Sequence, residues 1–209
     1  MNQPPSKPLI AFDFDGVLVD SFDVTFDVSH RLAGTVDHEA FRKYFEGNIY
    51  ETVAKHVETN KTHHEDFNTA LAEQIWKLPP VTGMADAIHL LSENYELVIV
   101  TSNLTPIVLR WLSMHGLEQR FSAVLGGDVE RSKSKKLASV AHETGQHVFV
   151  TDSLGDLLEA NDVGLPTIAV TWGFHERWRL EKGKPGTIID SPWDLVPAIQ
   201  TTLANTTIK

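Results

Sequence analysis

The 209-residue chain contains no cysteine. Disulfide bridges, thiolate nucleophiles and zinc–thiolate sites are therefore excluded as sources of stability or chemistry. The absence also fits a reducing compartment, and we expect a cytoplasmic protein. The N-terminal stretch MNQPPSKPLIAF has no long apolar segment before a small-residue cleavage site, so no signal peptide is expected.

Long apolar runs and positive charge are also scarce. No run approaches the roughly 18 apolar residues that a bilayer-spanning helix needs, so no membrane partner is expected. The 28 Asp and Glu outnumber the 18 Lys and Arg, which gives a formal net charge of −10. Because such a surface repels polyanions, nucleic acid is not an expected partner either. A local basic pocket for a small phosphorylated metabolite stays compatible with this charge, and the oligomeric state is left open.

The chain does contain a regular alternation of short apolar runs and helical patterns. Helices are predicted in PIVLRWLSMHG, with Thr105 as cap and Pro106 in the first turn, and in SKKLASVAHETG and DLLEANDVG, each ending at a glycine. Alternation of this kind is typical of a parallel sheet covered on both faces, so we expect a doubly wound, Rossmann-like α/β core. The apolar runs predict four buried strands, at Leu9–Phe14, Leu97–Thr101, Val148–Thr151 and Thr167–Thr171.

One long stretch interrupts this alternation. Residues 21–79 are polar and helix-patterned, as in HEAFRKYFEG and HEDFNTALAEQIWKL, and show no strand signal. We therefore expect a small helical cap domain over 21–79, inserted into a core domain formed by 1–20 and 80–209. The hinges are expected near Asp20–Ser21 and Pro79–Pro80. Arg42 and Lys43 either contact substrate from this cap or are ordinary exposed helix charges.

Polar side chains follow three of the predicted strands. Because ligands of open α/β sheets bind at the carboxyl ends of the strands, we expect these side chains to meet at one edge. Carboxylates held together raise each other's pKa, and a divalent cation relieves that repulsion. An oxygen-rich set of this kind suits Mg²⁺, with a lysine from RSKSKK nearby. The residues are Asp13, Asp15, Thr101, Ser102, Asn103, Asp152 and Asp156.

The motifs DFDGVLVDS, VTSN and VTDSLGD, in this order, resemble those of the haloacid dehalogenase-like hydrolase superfamily, in particular its phosphoglycolate phosphatase-like members with a small helical cap. The resemblance covers nearly the whole chain. Thr151 stands where the family usually has glycine, a change we expect to be tolerated because this position contributes mainly backbone. The family's third motif is a lone lysine, for which Lys133, Lys135 and Lys136 compete. The position of Lys133, twelve residues before Gly145, favours it.

The resemblance implies a phosphatase that forms an aspartyl-phosphate. Asp13 is the implied nucleophile, and Asp15 protonates the leaving alcohol and then deprotonates water. Thr101 and Lys133 neutralise phosphate charge in this scheme.

The implied binding groups divide between phosphate and metal. Ser102 and Asn103 belong to the phosphate-binding segment. The implied Mg²⁺ ligands are Asp13, Asp15 through its backbone carbonyl, Asp152 and Asp156, the last directly or through water.

Four alternatives accompany this interpretation. A β-phosphoglucomutase-like phosphotransferase uses the same motifs and returns the phosphoryl group to a sugar. A non-catalytic metabolite-binding module is disfavoured by the intact Asp13, and a dehalogenase by the presence of Asp15. A phosphonatase requires a cap lysine that forms a Schiff base, for which Lys43 or Lys55 is available.

Overall fold

The computed structural model describes residues 7–34, 37–56, 61–141 and 146–206. Its centre is a sheet of six parallel strands in the order β3-β2-β1-β4-β5-β6. This is the strand order of doubly wound Rossmann-like folds, so the predicted fold class is confirmed. The strands are β1 (Leu9–Phe12), β2 (Glu96–Val100), β3 (Ala123–Leu125), β4 (His147–Thr151), β5 (Thr167–Val170) and β6 (Thr187–Ile189).

The central strand β1 is buried on both of its faces. Ile10 and Phe12 belong to the larger hydrophobic cluster, whereas Leu9 and Ala11 belong to a second cluster on the opposite face. Phe12 pairs with residues of both β2 and β4, and the next residue's backbone N–H donates to the Val150 carbonyl at 2.9 Å. The ends of these three strands therefore lie side by side.

The four predicted strands are present, and two more were missed. The first predicted strand stops at Phe12, because the chain then turns and Gly16 donates its N–H to the Val19 carbonyl. The missed strands, β3 and β6, are three residues long and mostly half-buried at the two edges of the sheet. Runs this short carry little periodic signal.

Four helices fill most of the predicted insert. A backbone bond from Val81 N–H to the Leu18 carbonyl, at 2.9 Å, brings the two ends of the insert together. This close approach is compatible with a double hinge, although the division of the chain into core and cap domains stays a prediction. The four helices of the insert, which we refer to as the cap helices after that prediction, are α1 (Phe22–Ala33), α2 (His38–Lys43), α3 (Ile49–His56) and α4 (Lys61–Ile75).

The remaining helices pack on the two faces of the sheet. The three predicted ones are found, but residues 142–145, including the predicted stop at Gly145, lie outside the described part of the chain. In the described ranges, none of the helices combines the length and the apolar character that a membrane span needs. The remaining helices are α5 (Met84–Asn94), α6 (Thr105–Met114), α7 (Lys133–Ala141), α8 (Leu154–Asp162), α9 (Arg177–Lys182) and α10 (Leu195–Thr206).

The start of α6 differs from the prediction. Leu104, not Thr105, is the cap residue, and its apolar side chain accepts no hydrogen bond. Instead, the Asp128 carboxylate accepts from both the N–H and the hydroxyl of Thr105, at 2.7 and 2.9 Å. A residue 23 positions away in sequence therefore satisfies this helix end, which local pattern could not indicate.

Candidate active site

The predicted site residues meet at the carboxyl edge of the sheet. Asp13 and Asp15 follow β1, whereas Thr101, Ser102 and Asn103 follow β2. Asp152 follows β4, Asp156 lies in the first turn of α8, and Lys133 is the first residue of α7. All eight line one cavity of about 540 Å³ between the sheet and the cap helices.

Lys133 holds two of the carboxylates together. Its buried Nζ donates to Asp13 Oδ2 and to Asp156 Oδ2, each at 2.6 Å. Burial disfavours the charged amine, but the two carboxylates hold the pKa of Lys133 above its usual value. The structure thus brings Lys133 to the predicted position.

The other two candidate lysines have different surroundings. Lys135 is exposed, with Nζ at 3.7 Å from Glu130. Lys136 is buried and donates to the Thr101 carbonyl at 2.5 Å, and burial lowers its pKa to about 8. Neither reaches the carboxylates.

Three buried carboxylates form an acidic cluster. One oxygen each of Asp13, Asp152 and Asp156 lie within 4.8 Å of one another. Burial raises the pKa of Asp13, although Lys133 opposes this, and burial raises the pKa of Asp152 to about 7. Burial alone would raise the pKa of Asp156. Lys133, together with the hydrogen bonds that the Asp156 carboxylate accepts, instead holds this pKa below its usual value. One lysine thus faces three carboxylates, and a hard divalent cation fits the remaining negative charge and the all-oxygen donor set.

Two glycines shape the wall around Asp152. Gly16 has a φ of +72°, and a Cβ there would lie 1.9 Å from Asp152 Oδ2. A Cβ on Gly173 would lie 2.3 Å from the same oxygen. The backbone N–H of Phe174, the residue after Gly173, donates to Asp152 Oδ2 at 2.6 Å. Any side chain at either glycine would displace this carboxylate.

The Asp15 carboxylate has hydrogen-bond partners outside the acidic cluster. Its carboxylate accepts from the Ser21 hydroxyl at 2.7 Å and from the Asn103 amide at 3.0 Å. Burial raises its pKa, against these two hydrogen bonds. A raised pKa favours the protonated carboxyl group, which is the form that a general acid needs. The metal contact expected of Asp15 uses its backbone carbonyl and stays a prediction.

The segment after β2 is held by its own hydrogen bonds. The backbone N–H of Asn103 donates to the Thr101 hydroxyl at 3.0 Å, and the Asn103 amide orients Asp15. Asn103 Oδ1 accepts from the N–H of Leu104 at 2.8 Å. The Ser102 carbonyl accepts from the cap residue Tyr50 at 2.7 Å. Asn103 therefore links the Asp15 carboxyl group to the turn that carries Thr101.

Thr151 contributes its side chain as well as its backbone. Its hydroxyl donates to Asp156 Oδ2 at 2.6 Å, beside Lys133. The expectation that this position supplies mainly backbone is therefore incomplete. The threonine adds a hydrogen bond that glycine could not make.

The cap cations have roles other than lining the cavity. Arg42 donates from Nε to the Phe174 carbonyl at 2.9 Å, and its guanidinium lies 4.1 Å from the centre of the Phe22 ring. Lys43 and Lys55 are exposed, and neither is among the described lining residues. Arg42, Lys43 and Lys55 are all absent from the described lining of the cavity, so a substrate contact by Arg42 or Lys43 and a Schiff base at Lys43 or Lys55 gain no support from this arrangement.

The segment after β5 makes contacts with the site that the sequence did not predict. Phe174 bonds Asp152 through its N–H and Arg42 through its carbonyl. His175 is buried, and its ring accepts from the Leu154 N–H at 2.9 Å and reaches the Arg42 carbonyl at 2.9 Å. This segment thus links a cap helix to the acidic cluster. Its signal in the sequence was only the glycine and aromatic residues of TWGFH.

A buried arginine reinforces the same connection. The side chain of Arg179 is fully buried, and its guanidinium donates to Glu39 and Glu46 of the predicted insert and to Glu176, which directly precedes α9. Arginine suits this place because its fork of N–H donors can serve several carboxylates at once. No short motif marks the contacts with Glu39 and Glu46, because these two residues lie more than 130 positions before Arg179.

Comparison with known proteins gives a consistent family. The sequence model described as "Haloacid dehalogenase-like hydrolase" matches residues 10–170. A phosphoglycolate phosphatase of Synechococcus elongatus is 28% identical over 203 residues, covering 91% of this chain and 96% of that protein.

Two solved structures share the fold at low identity. A predicted phosphatase from Clostridium acetobutylicum superimposes with a TM-score of 0.78 at 20% identity, over 94% of this chain and 99% of that one. A proposed β-phosphoglucomutase from Thermotoga maritima gives a TM-score of 0.66 at 19% identity, over 94% and 100%. At these identities the likeness concerns the fold alone.

Proposed function

The chain belongs to the haloacid dehalogenase-like hydrolases and is a phosphatase of that family, and we propose that it uses Mg²⁺ to hydrolyse a small phosphomonoester through an aspartyl-phosphate. The observation that carries this proposal is the contact of one buried lysine with both Asp13 and Asp156, beside the separately held Asp15. The names of the relatives point to phosphoglycolate as a first compound to test.

In the proposed first step, Asp13 attacks phosphorus and the bond to the alcohol oxygen breaks. The carboxyl group of Asp15 gives its proton to that oxygen, so the alcohol leaves neutral. In the second step Asp15 takes a proton from water, the water oxygen attacks phosphorus, and the bond to Asp13 breaks. Asp13 is regenerated and inorganic phosphate is released. The raised pKa of Asp15 supports its role as the proton carrier.

The charge of the phosphate group must be neutralised before a carboxylate can attack it. We propose that Lys133 and the Thr101 hydroxyl do so, together with backbone N–H groups of the Ser102–Asn103 segment. The ion would be held by Asp13, Asp152 and Asp156 and by the Asp15 carbonyl. When bound, Mg²⁺ would act as a Lewis acid that withdraws charge from the phosphate oxygens.

We further propose that residues 21–79 act as a cap domain on a core of 1–20 and 80–209. The bond from Tyr50 to the Ser102 carbonyl and the contacts of Arg42 and Arg179 support a closed arrangement over the cavity. A closed cap would exclude water from the phosphate site during the first step.

Phosphate release from a panel of phosphorylated metabolites, with Mg²⁺ or with EDTA, tests the proposal. Wild type should release phosphate only with the metal, and Asp13→Asn should release none. Asp162→Asn is the matched control, because it makes the same substitution at an exposed position outside the cavity.

Two other outcomes would contradict the proposal. Phosphoryl exchange between sugar phosphates without net release would indicate a mutase. Binding of phosphorylated compounds by folded protein without any turnover would indicate a binding module.

A further inference from the structure

The cavity has two walls of different chemistry. The sheet edge contributes the carboxylates, Lys133 and the Thr101–Asn103 segment. The cap helices and the segments between them contribute the opposite wall, which we call the roof. Much of the roof is aliphatic or aromatic, as illustrated by Leu32, Phe45, Ile49, Val53, Phe67 and Leu71.

The described residues of the roof offer no charge to a ligand. None of the lining residues between positions 25 and 71 that the structure describes is Asp, Glu, Lys, Arg or His. The two described cations that line the cavity come from the core. Lys133 is already shared by two carboxylates, and Arg131 is exposed and lies near the ring of Tyr50, at 5.3 Å.

Two hydroxyl groups of the roof already donate hydrogen bonds to backbone carbonyls. Thr25 donates its hydroxyl proton to the Ser21 carbonyl, and Tyr50 donates its own to the Ser102 carbonyl, both at 2.7 Å. These two hydroxyl groups can accept but not donate without giving up those bonds. A hydroxyl group of the leaving alcohol that needs a donor would find none in these two side chains, and a polar group left unpaired costs binding energy.

The size of the cavity also exceeds what a two-carbon leaving group fills. Its volume of about 540 Å³ falls in the range of pockets that hold drug-sized ligands. A carboxylate such as that of phosphoglycolate would find no cation among the described residues of the roof, and apart from Lys133 the described lining offers it only the exposed Arg131, beside the carboxylates of Asp128 and Glu159. Burying a carboxylate without a cationic partner is strongly unfavourable.

We propose that the substrate is a phosphomonoester whose leaving alcohol carries an uncharged, largely apolar group, of aryl or branched-alkyl type. This inference rests on the proposed phosphatase function and narrows its substrate class. The phosphate binds at the sheet edge, and the apolar group lies against the roof. Transfer of this group from water to the roof favours apolar over polar leaving groups.

The test compares kcat/KM of the wild-type protein, with Mg²⁺, for benzyl phosphate, phosphoglycolate and glucose 6-phosphate. All three are esters of alkyl alcohols, so the comparison reports the pocket more than leaving-group acidity. Benzyl phosphate should be preferred by at least about tenfold, since burial of a ring is worth one to two powers of ten. A preference for phosphoglycolate or glucose 6-phosphate would overturn this inference and leave the phosphatase proposal intact. No release from any compound would overturn both.

A charge placed in the roof provides a second test. Val53→Lys should shift the ratio of kcat/KM values toward phosphoglycolate by about tenfold, because it supplies the missing cation. Glu51→Gln is the control, since it also changes the net charge by one on α3 but does not line the cavity. An unchanged ratio in a folded Val53→Lys protein would contradict the placement of the leaving group against the roof. The wild-type comparison decides the inference even if this variant does not fold.

Discussion

The two walls of the cavity are built on opposite principles. The sheet edge concentrates buried charge, with Asp13, Asp152 and Asp156 around Lys133. The roof is largely apolar and, in its described residues, uncharged. Buried charges need fixed partners at short distances, whereas apolar contact needs only complementary surface. We therefore propose that the sheet edge carries the chemistry of the reaction and that the roof selects the leaving group.

The largest effect is expected at the buried lysine. Lys133→Met leaves two carboxylates without their shared cation, so we expect unfolding free energy without metal to fall by about 3 kcal/mol. We also expect kcat to fall at least about a hundredfold, because phosphate charge loses a donor. Urea unfolding and phosphate release measure the two effects.

Lys135→Met is the matched control for this lysine. Lys135 is exposed two residues further along the same helix, so both quantities should stay near those of wild type. Equal effects of the two substitutions would contradict the assignment of Lys133 to the site.

A smaller loss of activity is expected when a methyl group is added beside the Asp152 carboxylate. Gly16→Ala places a Cβ against Asp152, so Mg²⁺ affinity and kcat/KM should each fall about 10- to 100-fold. Gly164→Ala is the control, because Gly164 has nearly the same φ, +68°, and has no atom within 4 Å of an added Cβ. Both variants should lose about 1 kcal/mol of stability from backbone strain. Only Gly16→Ala should lose Mg²⁺ affinity, as measured by calorimetry.

Lys136 should give a pH dependence of stability opposite to that of an ion-paired lysine. Its folded-state pKa is lowered from 10.5 to about 8, first by burial and then by Lys133. At a pH between these two values, the unfolded chain binds more protons than the folded protein. The free energy of unfolding therefore rises with pH, by at most about 1.4 kcal/mol per pH unit. Urea unfolding of wild type and Lys136→Met across this pH range should show that the unfolding free energy of wild type rises relative to that of the variant. Parallel pH profiles would contradict the lowered pKa.

The smallest effect is expected where the roof meets the sheet edge. Tyr50→Phe removes the bond to the Ser102 carbonyl, worth about 1 kcal/mol, and should raise KM about fivefold with little change in kcat. Tyr95→Phe, outside the cavity, should leave both constants unchanged. A fall in kcat with constant KM would instead indicate that Tyr50 acts in the chemical step.

The two walls also differ in how far the sequence predicted them. Every predicted residue of the sheet edge lines the cavity, because each follows or begins an element with a strong local signal. The choice of lysine was harder, since Lys133, Lys135 and Lys136 lie within one helical turn. Thr151 and Asp128 show the limit, because their side chains bond partners whose positions depend on packing.

The sequence by itself determined the parallel sheet, the helical insert and the polar residues at the strand ends. It could do so because the spacing of apolar residues and the position of turn residues are visible in short stretches of sequence. In addition, parallel strands all place their carboxyl ends at one edge of the sheet. Only the tertiary structure decided what faces that edge. The contact of Arg42 with Phe174 joins positions 132 residues apart, and the roof is assembled from four helices. Such contacts depend on how helices are oriented on the sheet, and no periodicity within a helix encodes that orientation.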